Sequence, residues 1–115
     1  MLPAYSASER NSPAETARRH SRLLYSTPLT LHHLATGGVR SSHGISLDIS
    51  ESGIGALVES SLQVGDTVEL DVKLPDSDLN LVAIVRHSSS LRSGFEFLGL
   101  TLEERQRLAR LVARA

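Results

Sequence analysis

From Pro28 onward, apolar residues recur first at every second position and, near the end, at every third or fourth, which divides the chain into strands followed by a helix. The clearest strand is Thr67 to Leu74. Val68, Leu70, Val72 and Leu74 alternate there with Thr67, Glu69, Asp71 and Lys73, so one face can enter a core while the other meets water. Ile45, Leu47 and Ile49 alternate in the same way with Ser46, Asp48 and Ser50. This predicts three aliphatic residues pointing inward and leaves Asp48 and Ser50 side by side on the outer face. Pro28 to Leu34 predicts a strand before this one, and Ile54 to Glu59 a strand after it with two fairly apolar faces. Leu79 to Arg86 predicts a largely apolar fifth strand, and Gly94 to Leu98 a short sixth carrying Phe95 and Phe97. Thr36-Gly37-Gly38, Glu51-Ser52-Gly53, Val64-Gly65-Asp66, Pro75-Asp76-Ser77-Asp78 and the polar stretch from His87 to Ser93 supply the turns.

The helix announces itself at Thr101-Leu102-Glu103-Glu104, a capping-box pattern in which the hydroxyl and the carboxylate satisfy orphan amides at a helix start. It runs toward Ala115 with Leu102, Leu108, Ala109, Leu111 and Val112 on one side. Glu103 and Glu104 near its start and Arg107, Arg110 and Arg114 near its end suit the helix dipole. Six short strands and one amphipathic helix predict an all-β domain, a small antiparallel barrel whose terminal helix plugs or covers one end.

A chain of 115 residues is one domain with a single modest core. Met1 to about Ala17 is rich in Ser, Pro, Ala and Glu without an apolar period, which predicts a flexible tail, residues 1–17, ahead of a single domain from 18 to 115. Cysteine is absent, so neither a disulfide framework nor a thiolate zinc site is available. No run of about 18 apolar residues and no signal-peptide pattern occurs, which predicts a cytoplasmic protein without membrane insertion.

The formal charge of -1 argues against a general nucleic-acid or membrane-surface binder. It conceals an asymmetry. Arg10, Arg18, Arg19, Arg22 and Arg40 stand in the first part, whereas Asp48, Glu51, Glu59, Asp66, Glu69, Asp71, Asp76 and Asp78 crowd the middle against Lys73 alone. A single-stranded nucleic-acid barrel would also need aromatic stacking platforms, and Tyr5, Tyr25, Phe95 and Phe97 are the only aromatic side chains of that kind. Enzyme chemistry finds no support either. His20, His32, His33, His43 and His87 show no metal-binding spacing, and neither a nucleophile elbow nor a Walker loop occurs.

Two polar clusters remain. Arg18-Arg19-His20-Ser21-Arg22 reads by itself as a solvated basic linker, and Asp48, Ser50 and Gly53 read by themselves as the end of an ordinary hairpin. Together and in this order they resemble the RxxxR and (D/N)xSxxG signature of PilZ domains. The resemblance covers about Arg18 to Ala115, since Leu79 to Arg86 and Gly94 to Leu100 are similar to that family's later strands and Thr101-Leu102-Glu103-Glu104-Arg105 to the start of its closing helix.

The resemblance implies a six-stranded, PilZ-type barrel capped by a C-terminal helix, acting as a bacterial receptor for the second messenger cyclic di-GMP. It implies no catalysis and no cofactor beyond that regulatory ligand. The residue chemistry agrees. Arg18 and Arg22 can engage phosphates and guanine acceptors through planar forks and stack on a purine face, with Arg19 adding a phosphate contact. Asp48 can accept from the guanine N–H edge, Ser50 can add a smaller hydrogen bond, and Gly53 can leave room for the base. Glu51 beside the site weakens anion binding somewhat, and Ala17 before the arginines leaves the number of bound nucleotides open. The expected mechanism is a change of conformation in the arginine segment that a protein partner reads. The main alternative is an adaptor of PilZ-like fold that acts through protein contacts without nucleotide.

Overall fold

The computed structural model describes residues 21–113. The expected tail, with Arg18 and Arg19, lies outside the described residues, as does Arg114. The strands are β1 (Leu23–Leu24), β2 (Pro28–Ala35), β3 (Gly38–Ile49), β4 (Gly53–Val58), β5 (Thr67–Lys73), β6 (Asp78–Ser88) and β7 (Ser93–Leu98), followed by helix α1 (Leu102–Val112). Every pairing is antiparallel. β2 pairs with β3, β3 with β4, β4 with β7, β7 with β6, β6 with β5, and β5 with β2, which closes a six-stranded barrel. β1 lies outside this ring, paired to the end of β3 through Leu23 opposite Ile49 and Leu24 opposite Asp48.

The interior follows from alternation. Val68, Leu70 and Val72 of β5 and Leu79, Leu81, Ala83 and Val85 of β6 are buried, together with Leu29, Leu31, Ile54, Phe95 and Phe97. Full burial of aliphatic side chains of this size contributes about 1.5–3 kcal/mol each, so this lining is the main source of stability. Helix α1 begins with the expected capping box. Thr101 Oγ1 accepts from Glu104 N at 3.1 Å, and Thr101 N donates to Glu104 Oε1 at 2.9 Å. Leu108, Leu111 and Val112 are buried, whereas Leu102, expected on the same side, is 70% exposed. The first turn projects beyond the barrel surface that the last turns cover. Among the described residues, no helix is long and apolar enough to cross a membrane.

The alternation expected at Ile45 to Ser50 is corrected by a bulge in β3. Against β4, Ser46 stands opposite Ala56 but Asp48 stands opposite Gly55, so the register slips between Ser46 and Asp48. A bulge inserts one residue and reverses which side chains face inward. Ile45 is therefore 45% exposed while Ser46 is fully buried, and inward aliphatic order resumes at Ile49. Ser46 is satisfied in its interior position, since its Oγ accepts from Thr27 N at 2.9 Å and donates to the carbonyl oxygen of Tyr25.

Candidate functional site

Past the bulge, Asp48 projects from the outside of β3 with its carboxylate only 15% exposed. Two arginines distant in sequence converge on it. Arg22, one residue ahead of β1, places Nη2 at 2.7 Å and Nε at 3.1 Å from Asp48 Oδ1. The pairing of Leu24 with Asp48 positions this contact, because it fixes the chain just after Arg22 alongside the carboxylate. Arg92, from the β6–β7 loop, places Nη2 at 3.4 Å from Asp48 Oδ2. Among the described residues, two guanidinium groups thus face this one carboxylate, an arrangement that suits an anionic ligand.

Ser50 does not lie beside Asp48 on the outer face, and that expectation is overturned. β3 ends at Ile49 and Ser50 is fully buried, because its hydroxyl builds the following turn. Its Oγ accepts from Gly53 N at 3.1 Å and Ser52 N at 3.2 Å, while Ser50 N donates to Gly53 O at 2.9 Å. A serine hydroxyl that caps the backbone amides two and three residues on is a local turn device. Gly53 serves close approach, and the group that approaches is the chain's own backbone: a Cβ there would fall on the carbonyl oxygen of Phe95. Ser50 and Gly53 thus shape the corner that ends the Asp48 strand.

Gly55 and Arg92 are site residues that the sequence reading did not single out. Asp48, Gly55 and Gly94 form one row across β3, β4 and β7. A Cβ on Gly55 would lie 2.9 Å from Arg92 Nη2 and 3.1 Å from Asp48 Oδ1, so the bare glycine backbone is the floor on which the two side chains meet. Arg92 fell within a polar loop in the sequence. A cation directly ahead of a strand that pairs beside Gly55 is the available signal, and it emerges only once the register is known.

Known structures share this architecture. The Bacillus subtilis inhibitor of motility MotI/DgrA matches with a TM-score of 0.70 at 19% identity, over 84% of this chain and 49% of the other. Escherichia coli YcgR in complex with c-di-GMP matches with 0.71 at 21%, over 84% and 45%. The PilZ domain of Escherichia coli YcgR with c-di-GMP matches with 0.68 at 20%, over 84% and 89%. The chain spans about half the length of the first two and most of the isolated domain. At these identities the likeness is one of fold. A search of curated proteins finds no match. The family model described as PilZ domain matches residues 16–114, nearly the whole sequence, and the chain therefore belongs to the PilZ domain family.

Proposed function

We propose that this chain is a receptor domain for cyclic di-GMP, in which Arg18, Arg19 and Arg22 hold the phosphates and guanines and Asp48 accepts from a guanine edge. The observation that carries the reading is the meeting of Arg22 and Asp48 at 2.7 Å, since it unites the two halves of the family motif at one place on the barrel. Membership in the PilZ family and the likeness to YcgR structures that contain c-di-GMP support the choice of ligand. Ser50 and Gly53 act in this reading by setting the corner behind Asp48. The domain works by binding and not by catalysis.

On binding, the segment from Arg18 to Arg22 changes conformation over the face bearing Asp48, drawn by charge-assisted hydrogen bonds to the phosphates, and a protein partner reads the altered surface. The pair formed by Arg22 and Asp48 is partly exposed and of modest worth, so exchanging it for contacts with nucleotide is energetically accessible.

Titration calorimetry with cyclic di-GMP, alongside cyclic di-AMP and GTP, tests the assignment. Loss of one bidentate contact of about 1–3 kcal/mol weakens affinity roughly 5- to 150-fold. Arg22→Ala and Asp48→Ala are each expected to bind at least about tenfold more weakly with the fold intact. Unchanged affinity in both variants would reject the assignment.

A further inference from the structure

Arg92 and Arg22 hold opposite oxygens of Asp48 from different supports. Arg22 stands just ahead of a two-residue strand. Arg92 stands on a loop pinned from within: Ser89 Oγ accepts from Leu91 N at 3.3 Å and Arg92 N at 3.2 Å and donates to Arg92 O at 3.1 Å, and Ser89 N donates to Arg92 O at 2.9 Å. The backbone beneath Arg92 is therefore held by the loop's own hydrogen bonds.

The guanidinium itself is held only by a long contact. Its side chain is 49% exposed, and its contact with Oδ2, at 3.4 Å, is near the limit of a hydrogen bond. A long, exposed ion pair contributes little to stability. Gly55 brings no side chain of its own between the two charged groups, which lie directly over its backbone.

We propose that Arg92 is a further arginine of the ligand site, resting on Asp48 Oδ2 and passing to a phosphate of cyclic di-GMP when nucleotide binds. The inference rests on the receptor reading above and adds a contact supplied by the β6–β7 loop. The exchange is chemically balanced. A guanidinium that leaves a carboxylate for a phosphodiester keeps charge-assisted hydrogen bonds, and the vacated Oδ2 becomes available to the guanine N–H donors. Arginine fits this role better than lysine, because its planar fork can hold two phosphate oxygens at once.

Calorimetric titration of the full chain with cyclic di-GMP is the test, using the unaltered protein, Arg92→Ala, Arg92→Lys, Arg22→Ala and Asp48→Ala, with thermal unfolding recorded for each. Arg92→Ala is expected to weaken binding about tenfold without moving the unfolding midpoint, and Arg92→Lys to recover only part of the loss. Combining Arg92→Ala with Asp48→Ala separates ligand contact from positioning. A direct contact still loses about tenfold in that background, whereas a residue acting only through Asp48 loses nothing further. Affinity of Arg92→Ala within about twofold of the unaltered chain, or disappearance of its effect beside Asp48→Ala, would overturn the proposal. Weakened binding by Arg22→Ala in the same series would then leave the receptor reading standing. No binding of cyclic di-GMP by the unaltered chain would overturn both.

Discussion

Two glycines of β4 separate the demands of folding from those of the site. At Gly53, a Cβ meets the backbone carbonyl of Phe95, which cannot swing away without breaking the pairing of β4 with β7. At Gly55, it meets the ends of Arg92 and Asp48, and the arginine is long and half exposed. Gly53→Ala is therefore expected to destabilise the fold by about 1–3 kcal/mol, the usual range for overpacking, while Gly55→Ala leaves stability nearly unchanged and displaces Arg92. Urea unfolding of both variants checks the contrast. A second residue-scale prediction concerns Asp71, whose carboxyl is held below its ordinary value near 3.8, first by the hydrogen bond from Asn80 and then by His32. Because the folded value is the lower one, its contribution is present at neutral pH and lost as pH falls through that value. Asp71→Asn should lower the unfolding midpoint slightly at pH 7, and the difference should vanish in strong acid. Arg22 and Asp48 were singled out through the resemblance to the family motif and the structure brings them together, whereas Gly55 and Arg92 come beside Asp48 only through the row formed by Asp48, Gly55 and Gly94, which the sequence does not display.

Elements were legible wherever one side faced water throughout. β5 satisfies that condition, and its alternation survives intact from Thr67 to Lys73. β3 does not, because its bulge inverts the pattern halfway, exposing Ile45 and burying Ser46 with no change in the local composition to announce it. β1 was missed altogether. Two residues carry no period, and the pairing of Leu23 and Leu24 depends wholly on a partner more than twenty positions away. Helix α1 was legible at its start, since the capping box is a local motif, but less so in its facing, since Leu102 precedes the turns that lie on the core. Its two buried leucines and its cap make different predictions. Thr101→Ala removes one reciprocal hydrogen bond at the helix start and should reduce stability by about 1 kcal/mol. Leu108→Ala opens a cavity where the side chain is fully buried and should reduce it by about 2–5 kcal/mol. Chemical denaturation that ranks these two in the opposite order would show that the helix is not packed as described.

At the scale of the whole molecule, the closed barrel and the segment leading into it differ in how firmly the backbone is held. Among the described residues, every barrel strand is paired on two sides, whereas β1 pairs with β3 alone, through two residues. The lead-in is fastened further on, where Thr27 is buried, receives Ser46 N on its carbonyl at 2.9 Å and donates Oγ1 to Lys73 O at 2.7 Å. Thr27 therefore divides a fixed wall from an attached edge, and local opening should be easier on the edge side. Under the proposed function, nucleotide bound by the arginines and Asp48 adds bonds across that edge, so amides from Arg18 to Leu24 should exchange more slowly with cyclic di-GMP than without it. Those of β5, already closed on both sides, should change little. Hydrogen exchange in the two states measures this directly. Equal rates at the edge under saturating nucleotide would separate binding from conformational change, leaving recognition in place and removing the segment's movement as the signal a partner reads.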